Sequence, residues 1–212
     1  MRLTNPIRNS MKKLFVICVM LFSSISAFAD SPITSTDFAE AYKDVPIVAE
    51  MLALNGEVVT EDIIQYIADD NNPIDVKVAA INAVCFTQDI YTPFMNYLKA
   101  KYGTESEIAV LSNVNASTAG ALAYARARYY YMDLSEAYLL CNIAYMKEPS
   151  SFTINMIYAL IVATDVMDYS FCDVYKACNY VLSDTTLNQD IRILAISKIM
   201  EYINLYKDDC NE

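Results

Sequence analysis

Residues that break helices are scarce in this sequence, which has only three glycines and six prolines in 212 residues. Folds made of many short β-strands need glycine and proline in their turns, so this scarcity disfavours them. Apolar residues recur instead three or four positions apart, which places them along one face of an α-helix. Such stripes are formed by Ile74, Val78, Ile81 and Cys85, by Tyr91, Phe94, Leu98 and Tyr102, and by Leu134, Tyr138, Cys141 and Tyr145. The sequence therefore predicts an all-α fold.

The stripes and the breakers between them predict eleven helices in a single domain over residues 30–212. The helices are expected at about 36–43, 46–55, 60–69, 73–86, 89–102, 105–112, 117–131, 134–147, 151–164, 169–182 and 188–207. Because the connections are short, consecutive helices are expected to pack as antiparallel hairpins. The hairpins can form either a helical-repeat array or a compact helical globule, and the pattern is compatible with both.

Residues 1–29 have the composition of a secretory signal peptide. Four basic residues precede an apolar run at 14–22, and the segment ends on the cleavage motif Ala27-Phe28-Ala29. The apolar run is shorter than the roughly 20 residues of a membrane-spanning helix. We expect a periplasmic or secreted protein with no membrane span after cleavage. Met11, directly before two lysines, is an alternative start codon to Met1.

The mature protein would be strongly acidic. The whole chain has 15 basic and 26 acidic residues, and the leader takes four basic and no acidic ones, which leaves 11 − 26 = −15. Nucleic acids and anionic membranes bind proteins through lysine and arginine, so both are disfavoured as partners. A cationic protein partner would be attracted by the same charge. The charge is equally compatible with a role in solubility alone.

Five cysteines follow the leader, and an oxidising compartment favours pairing among them. If the last two helices are antiparallel, Cys172 at the start of one lies beside Cys210 after the end of the other, and we predict a disulfide between these two. A bridge between Cys141 and Cys178 is a competing pairing that could coexist with it. The remaining alternative is that all five are reduced.

The sequence contains no recognisable catalytic, cofactor or metal site. It has no histidine, which removes the usual catalytic triads and the commonest metal ligand. Its three scattered glycines cannot form the loops that cradle nucleotide phosphates. The acidic segment 69–72 lacks the glycine and the closing glutamate of a calcium loop, so it is interpreted as a turn before a helix.

Two features resemble helical-repeat families. Over 117–149, Ala137, Ala144 and Pro149 have the spacing of a tetratricopeptide repeat, with Cys141 and Ala125 replacing the family's bulky residue and its glycine. The segments 75–81 (DVKVAAI) and 190–196 (DIRILAI) echo each other and resemble the core of HEAT-type helices. These resemblances imply a protein-binding scaffold.

Arginine and tyrosine, the residues typical of interface hot spots, are concentrated at the end of one predicted helix. Arg126 and Arg128 precede Tyr130 and Tyr131, and these four residues are the predicted binding patch. The competing interpretation is a partly exposed helix whose arginines extend along the edge of the core.

Two functions are compatible with these observations. The first is an exported, non-enzymatic helical protein that binds another protein, since small, acidic, all-helical exported chains are similar in general type to the periplasmic immunity proteins of type VI secretion systems. The alternative is an enzyme, or an enzyme accessory, for cell-envelope polysaccharide or peptidoglycan. It would use carboxylates that converge from different helices.

Export is directly testable. Because cleavage is expected after Ala29, the protein recovered from its producing cell should begin at Asp30 and lie outside the cytoplasm. Intact-mass measurement of the cytoplasmic and exported fractions checks both points. Full-length protein in the soluble cytoplasm, with residues 1–29 attached, would contradict the prediction.

Overall fold

The computed structural model describes residues 31–211, so the predicted leader and cleavage site lie outside the described residues. This part of the chain contains eleven α-helices and no β-strand, and the predicted all-α fold is confirmed. The helices are α1 (Pro32–Ser35), α2 (Pro46–Ala53), α3 (Glu61–Ala68), α4 (Ile74–Ala83), α5 (Tyr91–Tyr102), α6 (Glu107–Asn113), α7 (Ala116–Tyr129), α8 (Ser135–Lys147), α9 (Phe152–Val166), α10 (Phe171–Ser183) and α11 (Ile193–Ile203).

Helices α2 to α11 follow ten of the predicted helices in order, with two differences at the ends of the fold. The helix expected at 36–43 is a 3-10 turn, Ala39–Tyr42, preceded by the short α1. The helix expected at 188–207 begins only at Ile193. Before it, the backbone of Asn188 exchanges hydrogen bonds with the start of α9, which holds residues 188–192 out of the helix.

Helix starts follow from local hydrogen bonding. A serine, threonine or asparagine side chain accepts a hydrogen bond from the backbone N–H three residues later and so satisfies one of the exposed amides of the first turn. The residues that do this are Thr60, Ser106, Asn115, Ser151 and Ser170. At the other end of α5, Gly103 adopts the left-handed conformation with φ 64°, which stops the helix.

Helix α7 is the centre of the fold, because 12 of its 14 residues are buried. It packs along α8 and also contacts α4, α5 and α9. Small residues allow this close approach. A Cβ atom added to Gly120 would lie 2.7 Å from the Ile74 side chain of α4, so only glycine fits without rearrangement.

The side chain of Asn82, at the end of α4, ties the start of the described chain to this centre. Its Oδ1 accepts hydrogen bonds from the backbone N–H groups of Phe38 and Ala39 at 3.0 and 2.9 Å. Its amide nitrogen donates to Thr36 O and to the hydroxyl of Tyr124 on α7, both at 2.8 Å. Asn82 is 6 % exposed, so it has all its hydrogen-bond partners inside the protein.

Two helical hairpins stand out, formed by α7 with α8 and by α9 with α10. Their short connections make each pair antiparallel, as expected for consecutive helices. The two echoing segments, however, are not equivalent in the structure. Asp75 lies in the first turn of α4, whereas Asp190 lies three residues before α11 and accepts hydrogen bonds from Thr153.

The described C-terminal residues are fastened to α10. A disulfide joins Cys172 in the first turn of α10 to Cys210, at the positions where the sequence predicts one. Beside it, the rings of Phe171 and Tyr206 stack with their centroids 5.5 Å apart. Cys141 and Cys178, the competing pair, are both buried free thiols.

None of the helices within residues 31–211 is both long and apolar enough to cross a membrane.

The disulfide is expected to contribute to stability. It links residues 38 positions apart, and closing a loop of this length in the unfolded chain is worth about 4 kcal/mol in the chain-entropy model. Replacing both Cys172 and Cys210 by serine should lower the free energy of unfolding by roughly 2–4 kcal/mol, as measured by urea denaturation. Cys85→Ser, at a half-buried free cysteine, is the matched control.

Peptide mapping without reductant should recover Cys172 and Cys210 in one linked fragment. Alkylation of Cys210 in the folded, unreduced protein would contradict the pairing.

Candidate functional site

The predicted binding patch lies at the C-terminal end of α7, and the structure places both of its arginines in the interior. Arg126 is 8 % exposed and Arg128 is 6 % exposed. The Arg126 Nε donates to Glu136 of α8 at 2.5 Å, and its guanidinium lies 3.6 Å from the centroid of the Tyr130 ring. Tyr91 of α5 donates to the other oxygen of Glu136 at 2.7 Å. Arg126 therefore joins three helices.

Arg128 has a similar internal role. It donates to Val84 O at 2.9 Å, and more weakly to Ile33 O at 3.4 Å and to the Tyr124 hydroxyl at 3.5 Å. These contacts secure the C-terminal end of α4 and the start of the described chain against α7. Arg128 cannot reach a partner at the surface without breaking them.

The two tyrosines of the patch are also largely committed to the fold. Tyr130 is 38 % exposed but covers Arg126, and Tyr131 packs edge-to-face on Phe86 at 6.0 Å. The structure therefore does not present Arg126, Arg128, Tyr130 and Tyr131 as one exposed patch, because both arginines are buried. The sequence did contain a signal that α7 is buried, since an alanine-rich segment without a polar face is typical of a buried helix.

A buried lysine lies at the other end of α7. Lys77 of α4 is fully buried, and its Nζ donates to the Thr118 hydroxyl at 2.8 Å. That hydroxyl donates in turn to Asp70 Oδ1 at 2.8 Å. Burial lowers the pKa of Lys77 to about 8, although the nearby carboxylates of Asp70 and Asp69 oppose the shift. Through Thr118, the Lys77 amine links α4 to α7 and to the turn before α4.

Two of the free thiols within residues 31–211, those of Cys141 and Cys178, are buried. Burial raises the pKa of the Cys141 and Cys178 thiols to about 12, which keeps them protonated and unreactive. Within residues 31–211, no group of three histidine, cysteine, aspartate or glutamate side chains could hold a metal ion.

The best candidate site is a groove of about 420 Å³ on the outer face of α8, α9 and α10. We call it the tyrosine groove. Its walls and floor are formed by Asn142 and Tyr145 of α8, by Asn155, Tyr158, Ala159 and Val162 of α9, and by Ala177, Tyr180 and Val181 of α10.

Helical spacing brings these side chains together. Asn142 and Tyr145 lie one turn apart on α8, and the contributors from α9 and α10 follow the same three- and four-residue spacing. Tyr145 is 44 % exposed and Tyr180 is 77 % exposed, whereas Tyr158 is half-buried. Small residues on α9 and α10 form the apolar floor, so the aromatic rings stand above it as walls.

Two side chains of the groove lining, Tyr158 and Asn155, are held in place by contacts with neighbouring groups. Tyr158 packs edge-to-face on Tyr138 at 5.8 Å, and the Tyr138 hydroxyl donates to Asp165 at 3.3 Å. Burial and the adjacent Asp165 carboxylate raise the pKa of Tyr138, which keeps this hydroxyl a donor. On α9, the Asn155 amide donates to Pro149 O and Ser151 O at 2.9 and 2.8 Å. These contacts give the groove a defined shape before anything binds.

Exposed apolar side chains continue the surface along α8. Leu139 is 58 % exposed and Met146 is 83 % exposed, although a helix facing only water would carry polar residues there. Methionine, leucine and tyrosine together are typical of surfaces that bind other proteins.

Sequence reasoning missed this site because it assigned Tyr138 and Tyr145 to one core stripe with Leu134 and Cys141. The structure buries Leu134 and Cys141 but leaves Tyr145 at the surface. A tyrosine in an apolar helical stripe indicates the boundary between the core and the solvent, since its hydroxyl favours contact with water.

Comparison with known proteins identifies no relative. No protein-family model matches the chain, no curated protein matches it, and no solved structure matches it. Function is therefore inferred from the surfaces described above.

The buried Lys77 makes stability depend on pH in a defined direction. Its pKa is about 8 in the folded protein and about 10.4 in an unfolded chain, so between these values the unfolded chain binds more protons. The free energy of unfolding contributed by Lys77 therefore rises with pH from about 8 to about 10.4 and is flat below this window.

Lys77→Met should remove this dependence. Because the buried charge is costly below pH 8, the variant should be more stable than the wild type at pH 7, by about 1–2 kcal/mol. Urea titrations at several pH values should show this advantage shrinking above pH 8. The difference in the free energy of unfolding between the two proteins cancels the titration of tyrosines and cysteines, which both proteins share. The control is Lys207→Met, at an exposed lysine. An advantage that stays constant from pH 7 to pH 10 would contradict the assignment.

Proposed function

We propose that this protein is an exported, non-enzymatic binding protein that holds a protein partner in the tyrosine groove. The observation that supports this most strongly is the groove itself, a concave surface with tyrosine walls, two asparagines and an apolar floor. Tyrosine provides a large contact area and a hydrogen-bonding group with few rotatable bonds, which is why it is enriched at interface hot spots.

The lining favours a polypeptide as the occupant. The side chains of Ala159, Val162, Ala177 and Val181 offer an apolar floor for the side chains of a partner. The Asn142 amide, the side-chain carbonyl oxygen of Asn155 and the tyrosine hydroxyls are neutral groups that can pair with a peptide backbone. Leu139 and Met146, outside the groove, extend the apolar contact along α8.

Charge favours a basic partner. Over residues 135–184, which hold the three helices of the groove, there are six acidic and two basic residues. Lys147, one of the two, directs its Nζ to the carbonyl oxygens of Leu111 and Val114 and away from the groove. The groove region therefore attracts cationic segments, as the net charge of the mature chain does.

Within this function, we propose the more specific role of a periplasmic or secreted immunity or inhibitor protein that neutralises its target by binding. A disulfide and an acidic surface suit an exported protein of this kind. The two consecutive hairpins are compatible with a tetratricopeptide-like or HEAT-like scaffold.

The alternative function, an enzyme or accessory acting on polysaccharide or peptidoglycan, has one supporting feature. Asp37, Glu40 and Glu201 line a single cleft between the start of the described chain and α11. The same cleft also carries Lys43 and Lys198, and it lies on the surface. General acid catalysis by a carboxyl group needs an enclosed, apolar setting that raises its pKa. Protein binding is therefore the better-supported function.

The groove can be tested by a single truncation. The partner is first captured from culture on the immobilised wild type, identified by mass spectrometry and purified. Tyr180→Ala should then weaken its binding by about 1–2 kcal/mol, roughly 5- to 30-fold, when measured by calorimetry. The fold should be unaffected, because Tyr180 is 77 % exposed.

Tyr169→Ala is the matched control, since Tyr169 is 87 % exposed and lies outside the groove lining. Its affinity should equal that of the wild type. Wild-type affinity in both Tyr180→Ala and Tyr145→Ala would show that the partner binds elsewhere.

A further inference from the structure

The outer face of α11 is the second surface that the fold leaves uncovered in residues 31–211. The inner face of this helix is buried, through Ala195, Ile199 and Ile203. The outer face forms one wall of a cleft of about 600 Å³, whose other wall is the segment from Ser35 to Lys43. The tyrosine groove is lined by different residues, so the two surfaces are independent.

Four residues of the outer face follow a symmetrical order. They are Leu194, Lys198, Glu201 and Leu205, spaced by four, three and four positions, and all of them line the cleft. The two leucines at the ends are 56 % and 70 % exposed. Leu205 lies in the 3-10 turn that continues α11.

This order makes the helix complementary to an antiparallel copy of itself. Both pairs of positions, 194 with 205 and 198 with 201, are centred on the same point between residues 199 and 200. A two-fold axis through that point therefore exchanges the members of each pair. Leu194 then meets Leu205 of the second copy, and Lys198 meets its Glu201. A two-fold interface requires this reciprocity, in which each residue contacts its counterpart in both directions.

We propose that the outer face of α11 is the interface of a homodimer, with α11 of a second copy packed antiparallel against it. The leucines bury their exposed surface at the two ends of the stripe. Lys198 and Glu201, 3.2 Å apart within one chain, form a network of four charges at its centre. Asp37 and Glu40, on the opposite wall of the cleft, add attraction for the incoming Lys198.

The net charge of the protein sets the conditions for this dimer. Two copies of a chain that carries −11, or −15 once residues 1–29 are removed, repel each other at long range. Physiological salt screens such repulsion beyond about 8 Å, whereas the paired charges at the interface are in contact. Dimerisation should therefore be measured at physiological ionic strength.

A charge-reversal experiment tests both the interface and its symmetry. The protein, purified as the producing cell makes it, should have the mass of a dimer in light scattering at micromolar concentration. Lys198→Glu places only negative charges on the stripe and Glu201→Lys only positive ones, so each variant alone should dimerise at least about tenfold more weakly. An equimolar mixture should recover the dimer, because each like-charged stripe then meets its opposite.

The mixture distinguishes an interface from an effect on folding, since a monomer that folds poorly is not repaired by adding another variant. Circular dichroism should show unchanged helicity in both variants, and Leu194→Asp with Leu205→Asp should also give monomers. Tyr180→Ala, in the tyrosine groove, should remain dimeric, so failure of this proposal and failure of the binding function are separate results. The proposal is overturned if the wild type is monomeric, if either charge variant dimerises like the wild type, or if the mixture stays monomeric.

Discussion

Helix α7 is enclosed by neighbouring helices, so the buried polar groups on it find their partners inside the protein, apart from Arg126 Nη1, which makes no hydrogen bond within residues 31–211. The partners come from distant parts of the sequence. At its C-terminal end, Asn82 of α4 bonds both to Tyr124 and to the start of the described chain, and Arg128 donates to Val84 O and Ile33 O. At its N-terminal end, Thr118 lies between Lys77 and Asp70. The hydrogen bonds that the buried polar groups of α7 require thus position much of the fold.

The packing around α7 also decides which side chains are available to contact a partner. The arginines near the end of α7 combine the two properties expected of an interface, charge and neighbouring tyrosines, yet their hydrogen bonds are directed inward. The available surfaces lie instead on helices that pack around the centre. The tyrosine groove on α8 to α10 and the outer face of α11 both present apolar side chains that the fold itself does not cover.

The two surfaces suit different partners for physical reasons. The tyrosine groove has an uncharged lining in an acidic region, and these two properties underlie the proposal of a basic polypeptide as its occupant. The stripe on α11 has equal numbers of positive and negative charges in a two-fold order, which favours a copy of itself. A protein with both could bind a partner while dimeric, since the lining residues do not overlap.

The sequence by itself determined the order of helices α2 to α11, because helical periodicity, sparse glycine and capping side chains act over only a few residues. It also predicted the location of the pair Cys172 and Cys210, since two antiparallel helices bring those positions together. Only the tertiary structure decided which side of each helix meets water. Tyr145 and Leu134 share one stripe, yet the structure buries Leu134 and leaves Tyr145 at the surface. Likewise, the alanine-rich sequence of α7 indicates a buried helix, but the partners of Arg128 at Ile33 and Val84 are so far away in the chain that no local pattern predicts them.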